Sequence, residues 1–225
     1  RALNEAFFTL HEKGRPFVAI KFAASLDGKI ATATGDSKWI TNAAARQFAR
    51  KLRGEYQAVL VGINTVLQDN PHLGVRIRGK RDPIRIILDS VLKIPMRSKV
   101  LRDENVIVVT IRKANPKKLA KFHKLKIGVI EFNKQISISH LLDLLKQKEI
   151  ISILVEGGGE ILGSFVDARL VDKVYAFHAP IIIGGEKAIS TVAGQGIQTV
   201  SQAIHLKNLS YQRFDDNLLT TGYVV

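Results

Sequence analysis

At 225 residues the chain is sized for one large domain or two small ones. Its 46% hydrophobic and 24% charged residues argue for a packed core and against disorder, and the absence of cysteine excludes disulfides, thiolate nucleophiles and cysteine-based zinc sites. Net charge is +14, and the apolar runs, such as Val18–Ile20 and Ile181–Ile183, are too short to span a bilayer.

The chain starts at Arg1 and runs at once into Leu3-Asn4-Glu5-Ala6-Phe7-Phe8, which reads as an internal segment of something longer. No signal peptide is visible, so a soluble, cytoplasmic domain is expected. Phe17–Ala23 is a β-rich run, followed by an Asp27-Gly28 turn. Thr41 is placed to cap a helix over Asn42–Arg53, with Ala43, Ala44, Phe48 and Leu52 as its apolar stripe and Gly54 at its end. Ala58–Gly62 reads as a buried strand and Asn64–Gln68 as a short helix stopped before Pro71. Further strands are expected at Ile84–Leu88, Val106–Thr110, Ile127–Phe132, Ile151–Val155 and Lys173–Ala179. Helices are expected at Pro116–Leu125, Ile138–Lys148 and Glu160–Ala168. The tail, Ala203–Phe214 and Leu218–Val225, forms an antiparallel hairpin turned at Asp215-Asp216-Asn217.

Strands alternating with helices imply one α/β domain with a mainly parallel sheet flanked by helices and an antiparallel C-terminal hairpin. The charge is uneven: +4 over residues 1–75, +12 over 76–126 and −2 over 127–225. A basic block suits nucleic acid, a phosphorylated small molecule or plain solvation. Phe122 is its only aromatic, so no stacking platform for nucleic acid is supported and no nucleic-acid partner is expected.

The strongest local signal is Val155-Glu156-Gly157-Gly158-Gly159-Glu160-Ile161-Leu162-Gly163, an apolar strand passing through glycines into a helix. Such a turn either closes a tight strand-to-helix connection or brings backbone N–H groups to a phosphate. It matches neither G-x-G-x-x-G nor a P-loop. Glu156 sits where open α/β sheets place ligands, and can equally be a solvated turn carboxylate. Lys21, between Ile20 and Phe22, either snorkels at a sheet edge or points into a site. Trp39, the sole tryptophan, lies in a polar turn and can wall a planar ligand or pack in the core. Thr65, Asp69 and Asn70, leading to Leu73 and Arg76, make a further polar loop after a buried strand. The six histidines form no i, i+4 pair, and no metal site is expected.

Several motifs then occur in order: Arg15-Pro16-Phe17, Lys21, Ala24-Ser25-Leu26-Asp27-Gly28-Lys29, Gly35-Asp36-Ser37-Lys38-Trp39-Ile40-Thr41, Thr65-Val66-Leu67-Gln68-Asp69-Asn70-Pro71 and Val155-Glu156-Gly157-Gly158-Gly159. Together they resemble the reductase domain of the bifunctional riboflavin-biosynthesis deaminase/reductase family over residues 15–225. Asn4–Phe8 resembles that family's junction segment, so residues 1–14 read as a remnant of the link to a zinc deaminase domain. The resemblance implies a dihydrofolate-reductase-like fold and a homodimer. It also implies NADPH-dependent reduction of 5-amino-6-(5-phosphoribosylamino)uracil to the 5-phosphoribitylamino product. Carried over by motif, Ala23, Trp39, Thr65, Asp69, Ser90 and the turn Gly157, Gly158, Gly159, Glu160, Ile161, Leu162 and Gly163 hold NADPH. Ser37, Arg53, Leu73, Arg76 and Glu156 meet the phosphorylated pyrimidine, and Lys21 and Glu156 are the candidate catalytic pair. A nearby alternative is a reductase of the same fold acting on the diaminopyrimidinone precursor or on a pterin.

Overall fold

In the computed structural model the structure describes residues 4–112 and 114–225. Its first elements are α1 (Glu5–Lys13), β1 (Phe17–Ala24), β2 (Lys29–Ala31), α2 (Ala43–Leu52), β3 (Ala58–Gly62), α3 (Ile63–Asp69), β4 (Ile84–Leu88), β5 (Val106–Ile111) and α4 (Pro116–Lys124). There follow β6 (Gly128–Phe132), α5 (Ile138–Gln147), β7 (Ser152–Val155), α6 (Gly159–Asp167), β8 (Lys173–His178), β9 (Ile189–Ser190), β10 (Leu206–Phe214) and β11 (Asn217–Val224). These residues form two compact units, one of the segment up to Pro16 with Leu52–Ile153, the other of Phe17–Lys51 with Leu154–Val225. None of the three crossings between them is a linker in composition, which is why the sequence shows no division.

In the first unit β3, β4, β5 and β6 lie side by side, all parallel. Parallel strands covered on both faces carry continuous apolar runs, and Ala58–Gly62 and Val106–Thr110 are buried throughout. Val59, Val61, Ile87 and Val108 pack with Val66 of α3 and Phe122 of α4. Each such side chain contributes roughly 1.5–3 kcal/mol on burial. Two caps set the helix starts: the Asn115 side chain accepts from the Lys118 N–H, and that of Ser137 accepts from His140. Arg85, fully buried on β4, is the exception among the apolar residues. Its Nε donates to the Val100 carbonyl at 2.9 Å, and its Nη2 is paired with Asp103.

In the second unit β1 and β8 are parallel, β11 is antiparallel to β8, and β10 is antiparallel to β11. Asp172 fixes the start of β1: its carboxylate accepts the Val18 N–H at 2.9 Å, while its own N–H donates to the Val18 carbonyl at 2.8 Å. The expected α/β character, with mostly parallel strands and an antiparallel C-terminal hairpin, is what the two units contain.

Four details differ from the expectations. Asn42, not Thr41, caps α2, because its side chain accepts from Ala45 at 2.9 Å while its Nδ2 donates to the Phe214 carbonyl at 2.7 Å. The helix ends at Leu52, and Gly54 falls inside a 3-10 turn, Arg53–Glu55, rather than ending the helix. The last hairpin begins at Leu206, since Val200–Gln202 closes its own 3-10 turn. The helix α1 and the short β2–β9 pair have no counterpart in the sequence reading. No helix among the described residues is long and apolar enough to cross a membrane.

Candidate active site

The second unit holds an ion pair at the carboxyl ends of its strands. The first four residues of β1 are buried and the next three are half-buried, so Lys21 stands where the core gives way to the surface. Its Nζ lies 3.7 Å from Glu156 Oε2 and 5.7 Å from the centre of the Phe177 ring. The two side chains keep only 17% and 7% of their exposure. Sheltering an ammonium and a carboxylate together costs desolvation that a purely structural pair seldom returns, and such pairs concentrate at functional sites. Ala23, two residues on, is paired with Phe177 in the parallel register.

Glu156 opens directly into the glycine turn, whose glycines do different jobs. A Cβ on Gly157 would lie 2.6 Å from Ile161 Cβ, so this position lets α6 close onto its own entry. A Cβ on Gly159 would lie 2.5 Å from the Ser190 carbonyl oxygen, and one on Gly163 would fall well inside contact distance of Ala193 O. These two lie four residues apart on one helix face and admit the chain at 190–193, whose Ala193 N–H donates to Gly159 O at 3.0 Å. Gly158 alone has nothing within 4 Å of where its Cβ would be. It is the N-cap of α6, and no side chain caps that first turn. Open space over an uncapped helix N-terminus fits the pyrophosphate of a nicotinamide dinucleotide. Of the remaining expected cofactor residues, Glu160 is exposed and Ile161 is half-buried, while Leu162 is buried and reaches a ligand only through its backbone.

Ser37 and Trp39 sit in the loop before α2, with Ser37 half-buried and Trp39 68% exposed. The Lys38–Trp39 peptide is cis. The Arg46 guanidinium lies 4.3 Å from the indole centre while also donating to the Thr41 carbonyl, so it braces the ring. Trp39 is therefore not a core residue.

A feature the sequence reading missed lies nearby. Asp27 accepts the N–H groups of Ile183 at 3.1 Å and Gly184 at 2.7 Å, and the Leu26 N–H donates to Ile181 O at 2.8 Å. The Ser25 hydroxyl and these two amides hold the Asp27 carboxyl down to about 2. This clamp fixes Leu26 and the 77% exposed Ile182 at the ends of β1 and β8. Asp27-Gly28 signals a turn in sequence, but nothing local points to a partner 156 residues away.

The first unit holds the other expected residues. Thr65 and Asp69 lie four apart on α3, which springs straight from β3. Ser90 is exposed just past β4, and its carbonyl accepts from Ile111 N–H and the Thr110 hydroxyl at 3.2 and 3.0 Å. The Arg53 guanidinium donates to Gly74 O at 3.3 Å, bringing it to the loop that carries Leu73 and Arg76. Arg76 is exposed, whereas the Leu73 side chain is buried in the core with Val59, Val66 and Ile87. As a substrate residue Leu73 therefore offers backbone only, because the loop's turn drives its side chain inward. Burial, then the charges of Arg102 and Arg76, lowers the His72 pKa and keeps its imidazole neutral at pH 7.

A family model described as the RibD C-terminal domain matches residues 16–220. The riboflavin biosynthesis protein RibD of Aquifex aeolicus (strain VF5) is 38% identical over 220 residues, covering 97% of this chain and 61% of that protein. The chain thus spans about three fifths of the RibD relatives it matches. A 2,5-diamino-6-ribosylamino-4(3H)-pyrimidinone 5′-phosphate reductase of Methanothermobacter thermautotrophicus is 36% identical, covering 86% of this chain and 91% of that one. Among solved structures, a Thermotoga maritima diaminohydroxyphosphoribosylaminopyrimidine deaminase/5-amino-6-(5-phosphoribosylamino)uracil reductase aligns with a TM-score of 0.81 at 34% identity, covering 98% of this chain and 60% of that one. For the fold alone, an Enterococcus faecalis dihydrofolate reductase aligns at 0.52 and 12% identity, covering 92% and 96%.

Proposed function

The chain belongs to the RibD C-terminal domain family, and on that premise we propose that it reduces the ribosyl group of 5-amino-6-(5-phosphoribosylamino)uracil to the ribityl group, with NADPH as reductant. The observation that carries this reading is the sheltered Lys21–Glu156 pair standing beside the open Gly158 turn. Residues 15–225 are read as the reductase domain and residues 1–14 as part of its junction with a zinc deaminase domain; the pairing of a deaminase with a reductase in the name of the Thermotoga maritima structure supports this reading.

When bound, the nicotinamide supplies hydride chemistry. In the second unit Ala23, Trp39 and the Gly158 turn are the residues suited to hold it; Thr65, Asp69 and Ser90 are the expected cofactor residues of the first unit. The chain itself has to bind two anions and place one proton. In the substrate the C1′–O4′ bond of the ribosylamine opens as the exocyclic nitrogen forms an imine and O4′ takes a proton. Reduction then adds a hydride equivalent, one hydrogen with two electrons, to C1′ and a proton to nitrogen. Lys21 holds the freed sugar oxygen or gives it a proton, and Glu156 orients the ammonium and meets the substrate. Arg53 and Arg76 take the 5-phosphate, a task for which forked guanidinium groups suit better than lysine. A phosphorylated intermediate and reduced nicotinamide go with a cytoplasmic setting.

The Methanothermobacter relative favours a second reading, in which the same site acts on the diaminopyrimidinone before deamination. Rates of NADPH oxidation on the two pyrimidines separate them. Turnover confined to the deaminated uracil upholds the first reading, and turnover confined to its precursor replaces it. NADH in parallel tests the preference for the phosphorylated cofactor. A homodimer would use the nine-residue β10, whose outward row includes the exposed Leu209 and Tyr211. Sedimentation of wild type against Tyr211→Lys reads this out.

A further inference from the structure

The loop His72–Arg76 carries two expected substrate residues in a backbone conformation that side-chain-bearing residues rarely adopt, with φ of 55° at Leu73 and 56° at Arg76. Such a loop keeps its shape only when its surroundings over-determine it. The Leu73 side chain supplies one anchor through the core. The other is an ion pair lying against the backbone. Asp82 Oδ1 accepts the Val75 N–H at 2.8 Å, while Asp82 Oδ2 is 2.6 Å from Arg102 Nη2. Arg102 Nη1 in turn donates to the His72 carbonyl at 2.8 Å, and its Nε faces Asp103 at 3.3 Å. One pair thus grips the loop at His72 and at Val75. Gly74 between them leaves room for this arrangement, since a Cβ there would stand 2.5 Å from Asp82 Oδ2 and 2.7 Å from His72 Nδ1 and would displace one of these side chains. The Gly74 carbonyl, held in this way, is the acceptor for Arg53.

We propose that Asp82 and Arg102 are positioning residues, whose ion pair sets Arg76 and, through the Gly74 carbonyl, Arg53, to receive the phosphate of the substrate. This rests on the reading above that those two arginines meet that phosphate. A pair serving only stability would alter folding without altering anion affinity, and that difference is measurable.

The experiment compares Asp82→Asn, Arg102→Ala, Arg76→Ala and the Asp82→Asn/Arg76→Ala double variant. It reads kcat and KM for the phosphorylated pyrimidine, KM for NADPH, and calorimetric Kd for inorganic phosphate. Asp82→Asn and Arg102→Ala are each expected to raise substrate KM and phosphate Kd by about tenfold, the size expected from losing a charged hydrogen bond. The values of kcat and of KM for NADPH stay at wild type. In the Arg76→Ala background Asp82→Asn adds clearly less than it does in the wild type, because only the part that runs through Arg53 is left. Should Asp82→Asn fail to fold, Arg102→Lys, which keeps the charge but loses the fork, is expected to fall between wild type and Arg102→Ala. Full additivity in the double variant overturns the proposal, as does a fall in kcat at unchanged KM. So does unchanged phosphate affinity in both single variants where Arg76→Ala weakens it. If Arg76→Ala itself leaves KM and phosphate Kd alone, the phosphate reading fails and the positioning role falls with it.

Discussion

Alanine at three glycines of one turn separates the packing role of α6 from its role toward a ligand. At Gly163 a Cβ would run into Ala193 O and come 2.9 Å from Gly194 N, both backbone atoms that cannot swing aside. The helix or the 190–194 segment has to move, which costs about 1–3 kcal/mol or more. At roughly 2–4 °C per kcal/mol for a chain of this size, Gly163→Ala lowers the melting temperature by about 2–12 °C. Gly159→Ala, facing Ser190 O, falls in the same range. Gly158→Ala meets no atom within 4 Å, and the φ of −64° there is one alanine adopts readily. Its folding cost is that of a poorer N-cap, about 1 kcal/mol or less. Its methyl group, however, occupies the space assigned to the cofactor pyrophosphate, and NADPH Kd is expected to rise about tenfold or more. Scanning calorimetry and a fluorescence titration with NADPH read the two effects separately. Wild-type affinity for NADPH in a folded Gly158→Ala protein would refute the assignment of this turn to the cofactor. A Gly163→Ala protein as stable as wild type would refute the packing argument.

Lys21→Ala is expected to lower kcat by about 10²–10⁴ with NADPH affinity unchanged, as for loss of a positioned acid; near wild-type turnover removes the role given to Lys21. Asp27 has a carboxyl depressed to about 2 from an ordinary 3.8, so whatever its clamp contributes to the folded state is complete above pH 3.8 and is lost as pH falls through 2. Carboxyl NMR shifts followed against pH should show that low midpoint, and Asp27→Asn should speed amide exchange at Ile183 and Gly184 at pH 7. Asp103→Asn leaves the buried Arg85 guanidinium short of its charged partner and should cost about 1–3 kcal/mol by denaturant melts. Adding Arg85→Met, which withdraws the buried charge, should return part of that loss, and a further drop of the same size would count against the pairing.

The strands were legible because burial on both faces forces unbroken apolar runs. Ala58–Gly62 coincides with the observed β3 for that reason, and Ile84–Leu88 with β4 although the buried Arg85 interrupts its apolar run. The glycine turn was legible as a whole but not in its parts: sequence cannot show that Gly159 and Gly163 face the chain at 190–193 while Gly158 faces nothing. The basic block over 76–126 concealed its own order. Arg102 and Asp82 are two charges among many in the sequence, and only the fold shows them gripping one loop. For Leu73 the motif records that a residue is needed and not whether its side chain or its backbone is used, and the fold buries the side chain. Contacts across long separations, such as Asp27 with Gly184, leave no local trace.

The two kinds of residue divide along single strands. On β1, Phe17–Ile20 are buried and build the core, Lys21–Ala23, which include the candidate residues Lys21 and Ala23, are half-buried, and Ala24 is buried again. On β4, Ile86–Leu88 are buried, Asp89 bonds the Lys93 and Ile94 N–H groups at 2.8 and 2.7 Å, and Ser90 then emerges exposed. In both cases the expected site residues follow a buried stretch, and parallel strands present their carboxyl ends to the loops that come next. A charged pair such as Lys21–Glu156 can then stand one residue from the core without its desolvation unseating the strand, since Val18 is already tied to Asp172 at the other end.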